Sequence, residues 1–331
     1  MTVRVVRGTR ASRIAAAGGA ALVVVAATMP WWAGPDQASA WMRDGVELGC
    51  YLMVAMMWNL LAGYGGLVSI GQQAYVGLGG YAMLVLGNLA GVDPFLAVVL
   101  GALVAAVAAV PLSFLAFRLL GGYFAIGTWA IAEVLRLTFA NLSVVGGGSG
   151  TSLTALHGVA RATRERITFW IALAAAVAAV VLVHRFLRGR RGLALLAIRD
   201  NERAASSQGI DVRATKRSVY VVAALGAGLA GALYFLGNLR ISPDAAFNVN
   251  WSAYAIFMVV IGGVGTIEGP IVGALVFFLL NKLFSDYGGW YLLGLGALAI
   301  AITTMSRRGL WGWAEARWGV SVFSIRRHLA P

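Results

Sequence analysis

Ten apolar runs separated by short polar connections organise this chain: 14–33, 46–62, 67–89, 95–117, 122–143, 167–184, 218–239, 250–265, 269–284 and 289–305. Most approach the roughly 20 residues an α-helix needs to cross the hydrocarbon of a bilayer. The pattern predicts an all-α polytopic membrane protein with about ten transmembrane helices. Orientation follows from the connections. Between Arg185 and Arg217 one polar island holds nine of the 26 Lys and Arg residues. With the N-terminus inside, the inner segments (1–13, Arg118, 185–217 and 306–331) carry 19 cations. The outer ones carry six: Arg43, Arg161, Arg164, Arg166, Arg240 and Lys282. Cations accumulate on the cytoplasmic side of membrane proteins, so this split predicts N-in, C-in and an even number of spans. The stretch 250–284 decides the parity. Read as one long span it would place the basic C-terminal tail outside, so it is read as two segments broken at Gly262-Gly263-Val264-Gly265.

Composition agrees with this picture and narrows it. Sixty per cent of residues are hydrophobic and 12% charged, far outside the soluble range. The net charge of +13 lies beside apolar segments, where anionic lipid headgroups rather than nucleic acid account for it. No polar stretch is long enough to bury the core of a soluble domain. The single cysteine, Cys50, excludes an intramolecular disulfide. Arg4, Arg7, Arg10 and Arg13, an apolar run and Ala38-Ser39-Ala40 resemble a secretory signal. The run is longer than the usual signal core, however, and reads as a retained first helix. The expected organisation is one permease-like domain, 1–331, with a basic tail (1–13), an inner loop (185–217) and a second basic tail (306–331).

Two Gly-interrupted stretches, Gly63–Gly71 and Gly262–Gly269, occur once in each half. Broken segments in paired positions point to an internal repeat lining a transport pathway. Most other glycines inside the runs read as close helix packing. Asn59, Ser69, Gln72, Gln73 and Thr266 flank the two breaks, either bonding between helices or facing a polar solute. Glu133 and Arg136, three residues apart, share a helix face within a span. They read as a pathway pair or as an ion pair that relieves the cost of intramembrane charge. Glu268 reads as solvated on the inner side. No catalytic, metal-binding or cofactor-binding cluster is visible, and no phosphate-binding loop, so ATP-driven transport would need its ATPase on another chain.

The inner loop has more order than a connection requires. Asp200 or Asn201 can cap a short helix over Ala197–Gly209, with Gly209 ending it. Its core, Ala204-Ala205-Ser206-Ser207-Gln208-Gly209, is where the chain resembles the permease subunits of branched-chain amino-acid ABC importers. These share an Ala-Ala-x-x-x-Gly element in a cytoplasmic loop. Further family-like stretches follow in order: Asn59–Tyr64 with Ser69–Gln72, Glu133–Leu137, Leu196–Glu202, Ile241–Asp244, Gly262–Thr266, Gly269-Pro270 through Gly273-Ala274, and Arg308-Gly309-Leu310. The resemblance covers about residues 45–310 and is strongest to the LivM-like half of the family. Arg203 stands where the general pattern has Glu, with Glu202 one place earlier. Gln72 stands where His is also common, so no proton role attaches to it.

The resemblance implies an importer permease of the inner membrane, without enzymatic activity of its own. It implies as partners two ABC ATPase subunits, a second homologous permease and an extracytoplasmic solute-binding protein, besides membrane lipids. It implies ATPase coupling through Ile198, Arg199, Asp200, Glu202, Arg203, Ala204, Ala205 and Gly209. Alternatives are the same machinery carrying urea, an amide or another small polar solute, or a secondary transporter or channel whose basic loop only sets orientation. The cation split makes a topological prediction. In a Cys50-free background, cysteines placed at Ser207 and Ser324 should resist an impermeant thiol reagent from outside and react once the membrane is opened. Outside labelling of either would overturn the even-span arrangement.

Overall fold

A computed structural model describes residues 4–6, 10–284, 287–306, 308–318, 322–323 and 328–330. Every apolar run forms a helix over most of its length. In order come α1 (Arg10–Trp32), α2 (Pro35–Asn59), α3 (Gln72–Asn88), α4 (Pro94–Ala116), α5 (Gly122–Ala140) and α6 (Arg161–Arg188). The inner loop contributes α7 (Arg190–Asp200) and α8 (Glu202–Ser207). Then follow α9 (Val212–Asn238), the single turn α10 (Pro243–Ala246), α11 (Asn250–Gly262), α12 (Glu268–Phe284), α13 (Gly289–Met305) and α14 (Gly309–Trp318). Helix starts are locally encoded. Asp93 accepts from the amides of Phe95 and Leu96 at 3.0 and 3.1 Å, with Pro94 at the first position of α4. Asp211 caps α9 through Ala214 N at 2.9 Å.

Seven helical stretches among the described residues are long and apolar enough to cross a membrane. The ten expected crossings are therefore not all matched by full-length spans. Two of the short ones, α3 and α12, have 17 residues each and directly follow the two glycine-rich breaks. The breaks take residues that a continuous helix would have used.

At the centre, α3 packs against α4 and α9, which also pack on each other. A Cβ at Gly79 would overlap the backbone of Gly228, so α3 and α9 touch main chain to main chain, the approach small residues permit in membranes. Around this trio, α2 packs on α6, α9, α11 and α12. The breaks are two different devices. Leu60–Tyr64 continues α2 as a π-helical turn before irregular chain leads to α3. Residues 263–267 form a tight turn that folds α12 back along α11, so 250–284 is a hairpin of two helices, as the charge argument required.

Contacts between polar connections respect the expected sidedness. Arg43 pairs with Glu165 at 3.2 Å and Lys282 with Asp44, all in connections assigned outside, and Arg136, read within a span, pairs with Asp244 of an outer connection at 2.6 Å. Lys216 pairs with Glu202 at 2.7 Å within the inner loop. Two short strands, Thr151–Ser152 and Arg240–Ile241, join outer connections. Arg4–Val6 and His328–Ala330 pair antiparallel, bringing the two tails together. Arg7, Arg307, Ser324, Arg326 and Arg327 lie outside the described residues.

The α11–α12 hairpin depends on a missing side chain. A Cβ at Gly273 would overlap the carbonyl of Met258, whereas one at Gly294 meets nothing within 4 Å. Gly273→Ala should therefore cost about 1–3 kcal/mol or more by overpacking. It should lower the monodisperse yield after detergent extraction, while Gly294→Ala leaves that yield at or above the parent's.

Candidate functional site

The inner loop forms two helices where one was expected. Asn201 breaks the chain with extended backbone and caps α8, its Oδ1 accepting from Ala204 N at 3.0 Å. Gly209 closes α8 at φ +81°. Its N–H donates to Ser206 O at 3.0 Å, and Ile210 N donates to Ala205 O at 3.2 Å, the paired bonds of a Schellman ending. Lys216 on α9 then holds Glu202. The result is a short, doubly capped helix with one buried side chain, Ala205, at 3% exposure. Arg203, Ala204, Ser207 and Gln208 face out.

The residues expected to form a coupling surface do not all face the same way. Ile198 and Ala205 point into the protein and are not available to a partner. Glu202, partly engaged by Lys216, still has an exposed carboxylate. Asp200, Arg203, Ala204 and Gly209 remain on the outer surface of the loop. Arg199 turns the other way. Its Nη1 donates to the carbonyl of Gly63 at 2.5 Å, inside the π-helical turn that ends α2.

Four residues earlier, Asn59 is fully buried and joins the two breaks. Its Nδ2 donates to Thr266 O at 2.7 Å and its Oδ1 accepts from Gly265 N at 2.9 Å. Thr266 Oγ1 donates to Gly263 O at 2.9 Å and accepts from Gly269 N at 3.0 Å, fixing the second turn. Glu268, expected to be solvated, is 7% exposed, and its Oε1 accepts from the amides of Val322 and Phe323 at 2.9 and 2.7 Å. A carboxylate that receives two backbone N–H groups does not need bulk water.

Ser69, Gln72 and Gln73 gather where the first break enters α3, all at most 1% exposed. Ser252 on α11 donates its hydroxyl to Gln73 Oε1 and accepts from Gln72 N at 3.1 Å. Gln73 Nε2 donates to Ile70 O at 2.9 Å, and Trp58 Nε1 to Ser69 O at 2.8 Å. The amide of Gln72 has no partner among the described residues. Asn59 and Gln73 thus bond between segments, while Gln72 keeps its hydrogen-bonding capacity unused.

Glu133 and Arg136 pair as expected, at 2.6 Å, but not inside the bundle. Their side chains are 43% and 28% exposed, near the outer end of α5, and Asp244 completes a triad with Arg136. Asp244 and Ser252 were missed because a lone acid in a loop and a lone serine in an apolar run carry no periodic signal. Among the described residues no group of three or more His, Cys, Asp or Glu is placed to hold a metal ion.

Residues 46–306 match the family described as branched-chain amino acid transport system / permease component. The chain is 28% identical to the high-affinity branched-chain amino acid transport system permease protein LivM of Salmonella typhimurium, over 88% of this chain and 73% of that one. It is likewise 28% identical to a probable branched-chain amino acid transport permease protein LivM of Methanocaldococcus jannaschii, over 72% and 79%. A shorter match, 28% over 43% and 44%, is to the fructose import permease protein FruG of Bifidobacterium longum. No solved structure matches the chain.

The Asn59 bridge carries a stability prediction. Asn59→Leu removes the partner of a half-buried amide and a half-buried carbonyl, at about 0.5–1.5 kcal/mol for each hydrogen bond lost. The variant should unfold at a visibly lower temperature in detergent than the parent. An unchanged melting temperature would show that the two breaks hold each other without it.

Proposed function

The chain belongs to the family of branched-chain amino-acid transport permease components, and from that premise we propose that it forms half of the pathway of an ATP-driven importer for branched-chain amino acids. Residues 1–331 act as one permease domain in the inner membrane. The partners are two ABC ATPase subunits docked on the inner loop, a second homologous permease and an extracytoplasmic binding protein. ATP hydrolysis belongs to the ATPase chains, and this chain performs no chemistry.

One observation carries the coupling part of the reading: the loop is wired to both breaks. Arg199 reaches Gly63 in the first break, and Asn59, at the start of the same turn, holds Gly265 and Thr266 in the second. A force applied to α7 and α8 from the cytoplasm meets these segments through hydrogen bonds rather than through slack chain. Ser69 lies within the first break and Gln72 and Gln73 directly follow it in α3, with the unpartnered Gln72 side-chain amide as the candidate pathway group. The Glu133–Arg136–Asp244 triad serves as an outer-face brace.

A second cargo reading keeps the same machinery. The partial likeness to a fructose import permease favours a scaffold whose cargo differs between relatives, so a different small polar solute remains the alternative.

The docking face is tested by contrasting neighbours. Ala204→Trp alters an exposed position and should insert and fold at parental yield. It should lose ATPase co-purification and reduce substrate-stimulated ATP hydrolysis at least tenfold. Ala205→Trp fills an enclosed position, costs roughly 1–3 kcal/mol by overpacking, and should lower folded yield itself. Retention of the complex and of uptake in Ala204→Trp would sink the coupling role of α8.

A further inference from the structure

At the opposite end of the molecule from the inner loop, α2, α6 and α9 enclose a cavity of about 270 Å³. This is just below the ~300–1,000 Å³ of pockets that take drug-sized ligands, a size for a smaller solute. Five charged side chains line it: Arg43, Asp44, Glu47, Arg164 and Glu165. Three of them are already matched. Arg43 pairs with Glu165 at 3.2 Å, Arg161 also pairs with Glu165 at 3.0 Å, and Asp44 is held by Lys282. Ser39 adds a hydroxyl to the Glu165 carboxylate.

Two charges of opposite sign remain. Glu47 accepts a hydrogen bond from Tyr51 at 2.8 Å and has no cationic partner among the described residues. Arg164 forms no ion pair among them. Both are half-buried. Apolar surface from Met42, Val46 and Tyr234 completes the wall. Thr168, 3% exposed, lies at the same wall with a hydroxyl that has no partner. Half-buried charges left unmatched in a cavity are costly unless a ligand or water completes them. A solute with one positive end, one negative end and an apolar body would complete all three surfaces at once.

We propose that this cavity is an outer-face site for a zwitterionic α-amino acid with an apolar side chain, Glu47 receiving the ammonium and Arg164 the carboxylate. Arg suits the second role because its planar guanidinium can grip a carboxylate with two parallel bonds. Met42, Val46 and Tyr234 receive the side chain. The matched pairs Arg43–Glu165 and Asp44–Lys282 form the rim and repel neither end of the ligand. The proposal rests on the cargo reading above for its biological sense, but the site is defined by its own charges.

Direct binding separates the two. The full chain is reconstituted in lipid nanodiscs without ATPase or binding protein, and binding of radiolabelled L-leucine is measured. Isoamylamine, which lacks the carboxylate, and 4-methylpentanoate, which lacks the ammonium, serve as competitors. The parent should bind leucine. Glu47→Gln should weaken leucine binding at least tenfold and abolish competition by isoamylamine. Arg164→Gln should weaken leucine equally and abolish competition by 4-methylpentanoate, with Arg164→Lys partly restoring both. Unchanged unfolding profiles show that the variants keep the fold. No leucine binding by the parent, or equal binding by parent and both charge variants, overturns the site. If leucine binds here but ATP-driven leucine uptake is absent in the assembled transporter, the cargo reading fails and the site stands.

Discussion

Irregular backbone within a membrane protein survives only where other parts of the protein satisfy its polar groups. In this chain one side chain joins the two irregular segments and meets part of that condition for the second. Asn59 closes two hydrogen bonds from the end of α2 to the turn between α11 and α12, segments more than two hundred residues apart. Both glycine-rich breaks meet at this amide. Without it the second turn would leave the half-buried Gly265 N–H and Thr266 C=O without this partner, and the first break would lose its neighbour. The same requirement explains the turn's own geometry, in which Thr266 bonds back to Gly263 and forward to Gly269. Arg199 adds the third support from the inner loop, on the carbonyl of Gly63.

The centre of the bundle contrasts with these seams. There α3 is held by α4 and α9 with main-chain contact, as at Gly79 against Gly228. Close packing of this kind leaves little freedom for adjustment, since interiors respond to small volume changes with a real energetic cost. Movement is easier where the chain is irregular. The π-helical turn Leu60–Tyr64 and the 263–267 turn are such places, and π-turns within helices often mark functional positions. The irregular segments thus lie beside the inner loop, and the closest main-chain packing lies away from it.

Hydropathy made the helices legible, because each apolar run is set off by polar or glycine-rich connections. The hairpin at 250–284 was legible through charge, since a single span would have exported the tail cations. The cap at Asn201 and the stop at Gly209 followed from local chemistry. What could not be read was direction. Ile198 turns inward with Leu195 on one face of α7, and Ala205 turns inward from α8, because each short helix between anchored ends has one face that must pack. Glu268 looked solvated because its partners, the amides of Val322 and Phe323, come from a distant stretch. Glu133 and Arg136 were paired correctly by their spacing, but Asp244, which draws Arg136 to the outer end, lies 108 residues away. Glu47 went unread altogether, since one acid in an apolar run is hidden by the hydropathy around it.

α2 connects the two ends of the molecule that carry unmatched chemistry. Glu47 faces the outer cavity and Asn59 holds the inner junction, twelve residues apart on a helix that rises about 1.5 Å per residue, so about 18 Å separates them along its axis. The helix is regular between them and becomes π-helical only past Asn59. A rigid rod with a charged group at one end and a deformable turn at the other passes displacement along its length better than it absorbs it. Any shift of α2 on filling the outer cavity would therefore be felt first at Leu60–Tyr64, where Arg199 attaches the inner loop. By the same contacts, a partner pressing on that loop would act on the outer end through α2. α2 thus touches the outer cavity at one end and, through Asn59, the second break at the other.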